Sequence, residues 1–84
     1  MGEKMALILQ LLLTSRKIGI KNEEIVNYLK EHGLKSHRKE VGELVHDMND
    51  FFTLFLGYPL IHGKPKRGYV IENEYYEDGE LQLL

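Results

Sequence analysis

The sequence predicts an α+β domain in which three helices precede a C-terminal β-hairpin. Apolar residues recur at the 3.6-residue spacing of a helix in residues 3–14, 22–33 and 36–50. Two β-prone segments then flank the turn sequence GKPKRG, which holds two glycines and a proline. A chain of 84 residues suits one domain with a single small core, which we place in residues 1–73, before an acidic tail in residues 74–84.

The first helix, from Glu3 to about Thr14, is apolar on most of its sides. Such a helix is either deeply buried or shared with a partner. We expect its main face to be buried, and the remaining leucines, Leu7 and Leu11 among them, to be a candidate dimer contact. The main face consists of Met5, Ile8, Leu9 and Leu12.

The connection SRKIGIK and the second helix follow. Ile18 and Ile20 alternate across Gly19, which indicates a very short strand. The second helix is predicted to begin at Asn22, a good N-cap residue, and to end at Gly33, which readily adopts the left-handed conformation of a C-terminal cap. Its buried stripe is predicted to be Ile25, Val26 and Leu29.

The third helix is predicted to begin with Ser36 as its N-cap and to present two different faces. The apolar face consists of Val41, Leu44, Val45 and Met48. The opposite face can donate hydrogen bonds to phosphates and base edges, and a solvated polar surface is the alternative interpretation. This face carries Arg38, Lys39, Gly42, Glu43, His46 and Asn49. The glycine in mid-helix favours close approach to another backbone.

The apolar segment FFTLFL follows, and the helix is expected to run on to Phe51 or Phe52. Beyond that point the sequence leaves a helix extension, a strand and a dimer seam open. The hairpin is predicted to pair residues 60–62 with residues 69–71 around a basic tip. Lys64, Lys66 and Arg67 of this tip can meet phosphates, and a solvated basic loop is the alternative.

Four segments together resemble the small bacterial and phage winged helix-turn-helix regulators of the DeoR-like and biotin-repressor-like kind. They are ILQLLL, EEIVNYL, SHRKEVGELVHDM and GYPLI…KRGYVI, and the resemblance covers residues 5–73. It implies a winged helix-turn-helix fold that binds DNA through the third helix, with the hairpin as a wing on the DNA backbone. The contact residues it implies are Ser36, His37, Arg38, Lys39, Gly42, Glu43, His46, Lys64, Lys66 and Arg67. The segment NDFFTLFL is longer and more apolar than in that family, which indicates an extra contact surface.

Charge is distributed unevenly along the chain. Residues 1–71 hold all 11 Lys and Arg and 8 Asp and Glu, a balance of +3, whereas residues 72–84 hold 5 acids and no Lys or Arg, a balance of −5. The sum is the net charge of −2. A weakly basic body with an acidic tail fits a DNA-binding protein, and it fits a protein-binding module equally well.

Composition excludes several kinds of site. The chain has no cysteine, so it has no disulfide or thiolate metal site, and a reducing cytoplasm is compatible with this. The apolar run from Met5 to Leu13 is too short for a membrane span, which needs about 20 residues. No nucleophile elbow, phosphate loop or metal-binding histidine pair is present, so we expect no enzymatic activity, cofactor or metal.

The function predicted from the sequence is specific binding of double-stranded DNA by a small transcriptional regulator. One such domain makes few contacts, so a homodimer on a two-fold DNA site is expected. The alternative is a winged helix that binds a protein, as an inhibitor or adaptor, through the apolar residues 51–56 and the acidic tail. A third interpretation is a small accessory protein that bends DNA.

Overall fold

A computed structural model describes residues 2–15, 18–71, 76–77 and 80–81. Three helices and a C-terminal two-stranded antiparallel hairpin form an α+β domain, as the sequence predicts, and a second, two-residue ladder follows. The elements are α1 (Glu3–Thr14), α2 (Asn22–Glu31), α3 (Arg38–Leu56), β1 (Ile61–Lys64), β2 (Gly68–Ile71), β3 (Tyr76–Glu77) and β4 (Glu80–Leu81). None of the described helices is long and apolar enough to cross a membrane.

The core lies where the three helices meet the hairpin. Its fully or almost fully buried members are Ile8, Leu12, Ile20, Ile25, Leu29, Val41, Val45, Met48, Phe52, Ile61, Val70 and Ile71. The predicted stripes of the helices supply most of this set, because a 3.6-residue repeat turns one face inward. Met5, Leu9, Val26 and Leu44 were predicted to be buried and are only partly so, at the edge of the core. Leu7 and Leu11 also pack against this core.

The first turn of α2 is capped differently from the prediction. Lys21, not Asn22, is the N-cap, and the Glu24 carboxylate accepts a hydrogen bond from the Lys21 N–H at 3.1 Å. Asn22 is the first helical residue, and its side chain donates to the Arg38 carbonyl oxygen at 3.1 Å. A contact between helices therefore draws the Asn22 amide away from the local cap. At the other end Gly33 has φ +75°, so the predicted left-handed stop is confirmed.

The start of α3 also differs by one residue. His37, not Ser36, is the N-cap, and its Nδ1 accepts a hydrogen bond from the Glu40 N–H at 3.2 Å. The Ser36 hydroxyl instead donates to the Leu34 carbonyl oxygen at 3.4 Å. An unprotonated imidazole nitrogen can accept this hydrogen bond as a hydroxyl oxygen does, so the side chain that comes next in sequence takes the role.

The third helix is longer than predicted and includes the whole FFTLFL segment. Phe52 continues the buried row of Val45 and Met48 at helical spacing, which keeps the added turns attached to the core. Gly57 ends the helix at φ +86°, and its N–H donates to the Thr53 carbonyl oxygen at 3.0 Å. The segment is thus a helix extension rather than a strand.

The turn of the hairpin is shorter than the sequence predicts. Its register runs from the Ile61–Ile71 pair to the Lys64–Gly68 pair, so three residues, 65–67, form the tip. Strand β1 was predicted at residues 60–62 and is shifted towards the tip, since Gly63 and Lys64 pair within the ladder. The two-residue β3–β4 ladder lies inside the predicted acidic tail and was not predicted. The rest of that tail lies outside the described residues.

The side chain of Asn49 joins α3 to the hairpin, with the pair of hydrogen bonds that the backbone of a neighbouring strand would make. Its Nδ2 donates to the Ile61 carbonyl oxygen at 2.8 Å, and its Oδ1 accepts from the Ile61 N–H at 2.9 Å. Both peptide groups of a buried residue at the start of β1 are satisfied by this one side chain. The sequence placed Asn49 on the exposed polar face, which is wrong, because Asn49 is partly buried and its side-chain amide bonds the hairpin backbone.

We expect Asn49→Ala to lower the free energy of unfolding by about 2–4 kcal/mol, because two hydrogen bonds are lost and two peptide groups lose their partner. Urea unfolding followed by circular dichroism measures this change. Asn27→Ala, at an exposed position of α2, is the matched control and should change stability by less than about 0.5 kcal/mol. Equal effects of the two substitutions would show that the Asn49 hydrogen bonds contribute nothing.

Candidate nucleic-acid interface

The connection between α1 and α2 pairs with the hairpin through its backbone. The Ile20 N–H donates to the Tyr69 carbonyl oxygen at 2.9 Å, and the Tyr69 N–H donates to the Ile20 carbonyl oxygen at 2.8 Å. The very short strand predicted at residues 18–20 is therefore a single antiparallel bridge at Ile20. This pairing brings the first turn of α2 beside the tip of the hairpin.

Two glycines allow the backbones to approach so closely. Gly19 and Gly68 have φ of +93° and +90°. A Cβ at Gly19 would lie 2.5 Å from the Arg67 carbonyl oxygen, and one at Gly68 would lie 2.4 Å from the Ile20 carbonyl oxygen. Both distances are far shorter than a van der Waals contact. Any side chain at either position would push the connection and the hairpin apart.

A groove of about 520 Å³ opens between the first turn of α2, the first residue of α3 and the hairpin. Three of the predicted DNA-contact residues line it: Arg38, Lys64 and Lys66. Lys21 lines it too, although it was not among the predicted contact residues. Only its place before an Asn-Glu-Glu helix start could have pointed to Lys21, because its neighbours in the groove are distant in sequence.

The charges of the residues that line the groove favour a bound anion. Among the described residues that line it, Glu23 is the single acid against four cations. The first turn of α2 lines this region, so the positive end of that helix dipole adds to the cationic side chains. A phosphate group is the common biological anion that fits several cations and free helix N–H groups at once.

Two polar side chains, Asn22 of α2 and Tyr69 of β2, meet on one wall of the groove. Asn22 Nδ2 lies 3.5 Å from the Tyr69 hydroxyl oxygen, which accepts its hydrogen bond. The Tyr69 hydroxyl proton is then available to an acceptor in the groove. Asn22 Oδ1 is buried and has no hydrogen-bond partner among the described residues. A water molecule or a ligand that donates a hydrogen bond would satisfy it.

The other predicted contact residues lie outside the lining of this groove: Ser36, His37, Lys39, Gly42, Glu43, His46 and Arg67. Arg67 is exposed on the hairpin tip, and its Nε donates to the Ile18 carbonyl oxygen at 3.4 Å. Lys39 is exposed in the first turn of α3. A Cβ added at Gly42 would meet nothing within 4 Å, so packing inside the chain does not require this glycine.

The outward face of α3 changes sign along its length. Arg38 and Lys39 make its first turn basic, whereas Glu43, Asp47 and Asp50 make its middle acidic, and all five are exposed. His46 Nε2 lies 3.6 Å from Asp50 Oδ2 on the same face. Attraction for a polyanion is therefore concentrated in the first turn of α3 and the groove beside it.

Comparison with known proteins does not assign this chain to a family or a function. No family model, no curated protein and no solved structure matches this chain. Among the described parts of the chain, no group of three or more His, Asp and Glu side chains is placed to hold a metal ion. The candidate interface therefore rests on the geometry and charge of the groove.

We expect Gly68→Ala to lower the free energy of unfolding by at least about 2 kcal/mol, because the methyl group meets the Ile20 backbone and the positive φ disfavours alanine. Gly42→Ala is the matched control and should raise stability by up to about 1 kcal/mol, since alanine is the better helix former. Urea unfolding of both variants measures the difference. A Gly68→Ala variant as stable as the parent would contradict the close backbone approach.

The first turn of α3 is also tied to α1 by an ion pair whose strength depends on pH. Lys4 Nζ lies 2.8 Å from Glu40 Oε2 and 3.0 Å from the Lys35 carbonyl oxygen. The hydrogen bond from Lys4 lowers the pKa of the Glu40 carboxyl below its ordinary value, the charges of Lys4 and His37 act in the same direction, and partial burial opposes them. A carboxyl with a lowered pKa stabilises the fold above its unfolded-state pKa, and this contribution is lost as the pH falls through the lowered value.

We expect Lys4→Met to raise the pKa of Glu40 towards its ordinary value and to weaken the loss of stability in acid, because the partner of the carboxylate is gone. Titration of the Glu40 side-chain carbon by NMR measures the pKa, and urea unfolding between about pH 3 and pH 6 measures the stability, a window around the ordinary glutamate value. Lys30→Met removes an exposed charge elsewhere and should leave the Glu40 titration unchanged. The same Glu40 titration in Lys4→Met and the parent would refute the ion pair.

Proposed function

We propose that the three helices and the hairpin form a winged helix-turn-helix domain that binds double-stranded DNA. The observation that carries the proposal is the groove, where Lys21, Arg38, Lys64 and Lys66 come from three separate elements to one anion-seeking surface. Neutralisation of phosphates by Lys and Arg supplies most of the affinity of a DNA-binding protein. Cations from separate elements on one side match the spaced phosphates of a duplex better than a chance cluster on one loop.

Each side chain has a role in the proposal that follows from its position. Arg38 and Lys39 begin α3 and would enter the major groove, where Arg reads guanine through two hydrogen bonds. Lys66, at the hairpin tip with φ +67°, would hold a phosphate. Lys21 and the first turn of α2 would hold a second phosphate nearby on the same DNA strand.

The acidic residues in the middle of α3 limit how much of the helix can contact DNA. Glu43 lies about one turn beyond Lys39, and a carboxylate there accepts a hydrogen bond from a cytosine amino group but repels phosphates. The open space at Gly42, between these two residues, favours close approach of a sugar-phosphate backbone. Base contacts would accordingly come from the first two turns of α3, and two copies on a two-fold site would supply the sequence specificity of a transcriptional regulator.

We expect Arg38→Ala to weaken binding to a selected duplex by about 5- to 150-fold and to relax specificity at one base pair, since a good Arg–guanine contact contributes about 1–3 kcal/mol. Lys66→Ala should weaken binding to all duplexes alike and reduce the salt slope, log Kd against log salt, by about one. Site selection from random-sequence duplexes, followed by fluorescence anisotropy across a salt series, measures both effects.

The matched control is Lys30→Ala, which removes an exposed lysine at the opposite end of α2 from the groove. It should reduce affinity less than Lys66→Ala and leave specificity unchanged. If the parent chain binds no duplex at low salt, or if all three substitutions have the same effect, the DNA-binding proposal is wrong. An enriched site with two inverted halves would support two copies on the DNA.

A further inference from the structure

The last two turns of α3 expose a cluster of large apolar side chains. Leu54 and Phe55 are 78% and 66% exposed, and Phe51 and Leu56 are about half exposed. The rings of Phe51 and Phe55 lie with their centroids 4.5 Å apart, so they form one continuous surface. An isolated exposed leucine is ordinary, but four such residues within six positions are typical of a binding surface.

This cluster has no function in the core of the chain. Phe52 alone of this segment is buried in the core. None of the four exposed residues belongs to the core, although the Phe51 ring lies edge-on to the Phe52 ring with the centroids 6.3 Å apart. Most of the surface of Leu54 and Phe55 faces solvent, so these two side chains contribute little to the core. Their cost in solubility is therefore offset by something other than the packing of this domain.

Acidic side chains border the apolar cluster on the same side of the helix. Asp47, Asp50 and Leu54 follow each other at spacings of three and four residues, which places them in one row along α3. Phe51 and Phe55 form the adjacent row. We call these five residues the acidic–apolar face: Asp47, Asp50, Phe51, Leu54 and Phe55.

Charge disfavours two occupants that the chain itself could provide. Residues 40–63 contain no Lys or Arg, so this face packed on its own copy would set acids against acids or against apolar side chains. The tail, residues 72–84, contains 5 acids and no Lys or Arg, so it repels the same face. Like charges brought together in an interface oppose binding, and opposite charges steer it.

We propose that the acidic–apolar face binds an amphipathic helix of a different protein, one whose apolar stripe is bordered by Lys and Arg. A helix laid along the last turns of α3 would cover Leu54 and Phe55 with its apolar stripe and meet Asp47 and Asp50 with its cations. A face of five residues is small, so the expected affinity is micromolar and the complex transient.

The two surfaces of the chain can be used at the same time. Leu54 lies 16 residues beyond Arg38 on the same helix, which is about 24 Å along the helix axis. A helix bound at the acidic–apolar face would leave the basic groove open. The inference goes beyond DNA binding and does not depend on it, and together the two surfaces would let the chain recruit a protein to DNA.

The test uses the full chain and two synthetic 18-residue helical peptides. The first has leucines along one face with lysines on both borders, and the second has the same leucines with glutamates in place of the lysines. Fluorescence anisotropy gives the affinities, and NMR shift changes give the binding site. We expect the Leu/Lys peptide to bind at least 10-fold more tightly than the Leu/Glu peptide, with shift changes at residues 47–56.

Two variants and two controls locate the binding to this face. Leu54→Ala should weaken binding of the Leu/Lys peptide at least 5-fold, and Asp47→Asn with Asp50→Asn should weaken it and reduce its dependence on salt. Leu13→Ala removes another exposed leucine and Glu31→Gln another exposed acid, and neither should change the affinity. All of these positions are exposed, so urea unfolding should show variants as stable as the parent.

Three results would overturn the inference. They are equal binding of the two peptides, unchanged binding after Leu54→Ala, and self-association of the chain that Leu54→Ala abolishes in sedimentation experiments. The last would make a second copy the occupant. Duplex binding measured on the same variants separates the two proposals, because Leu54→Ala should leave DNA affinity unchanged and Lys66→Ala should leave peptide affinity unchanged.

Discussion

The pairing of Ile20 with Tyr69 is the contact on which the rest of this structure depends. It joins a connection near the start of the chain to the second strand of the hairpin, and two glycines, Gly19 and Gly68, let the backbones meet directly. It holds the first turn of α2 beside the hairpin tip, and the hydrogen bonds of Asn22 to the Tyr69 hydroxyl and of Arg67 to the Ile18 carbonyl oxygen support the same arrangement. The basic groove exists because this pairing holds Lys21 beside residues that lie more than 40 positions later.

The third helix divides the surface of the molecule between two kinds of chemistry. Its inner side holds the core and is apolar apart from Asn49, which bonds the hairpin backbone, so the outer side is free to vary along 19 residues. That outer side is basic in its first turn, acidic in the middle and apolar at the end. A single helix thus presents a basic surface and an acidic–apolar surface at a fixed separation, which loops of the same composition would not do.

Periodicity in the sequence was sufficient for the helices but not for the contacts that orient them. The apolar repeat identified Ile25 and Leu29 as core residues, because burial of one helix face depends on local spacing alone. The caps depend on distant groups: Asn22 looks like a cap and instead donates to the Arg38 carbonyl oxygen. Likewise, Lys21 became part of the candidate site only through the fold, since no local pattern relates it to the hairpin.

The distances along α3 decide how strongly its acidic residues affect the basic groove. Asp47 is nine residues from Arg38, about 14 Å along the axis, and the screening length at physiological salt is about 8 Å. Its repulsion of a bound phosphate is therefore largely screened. Glu43, five residues from Arg38 and about 8 Å away, lies within that length. Among the acids of α3, Glu43 consequently has the largest effect on an anion at the groove, where Glu23 lies in the lining itself, whereas Asp47 and Asp50 act mainly farther along the helix.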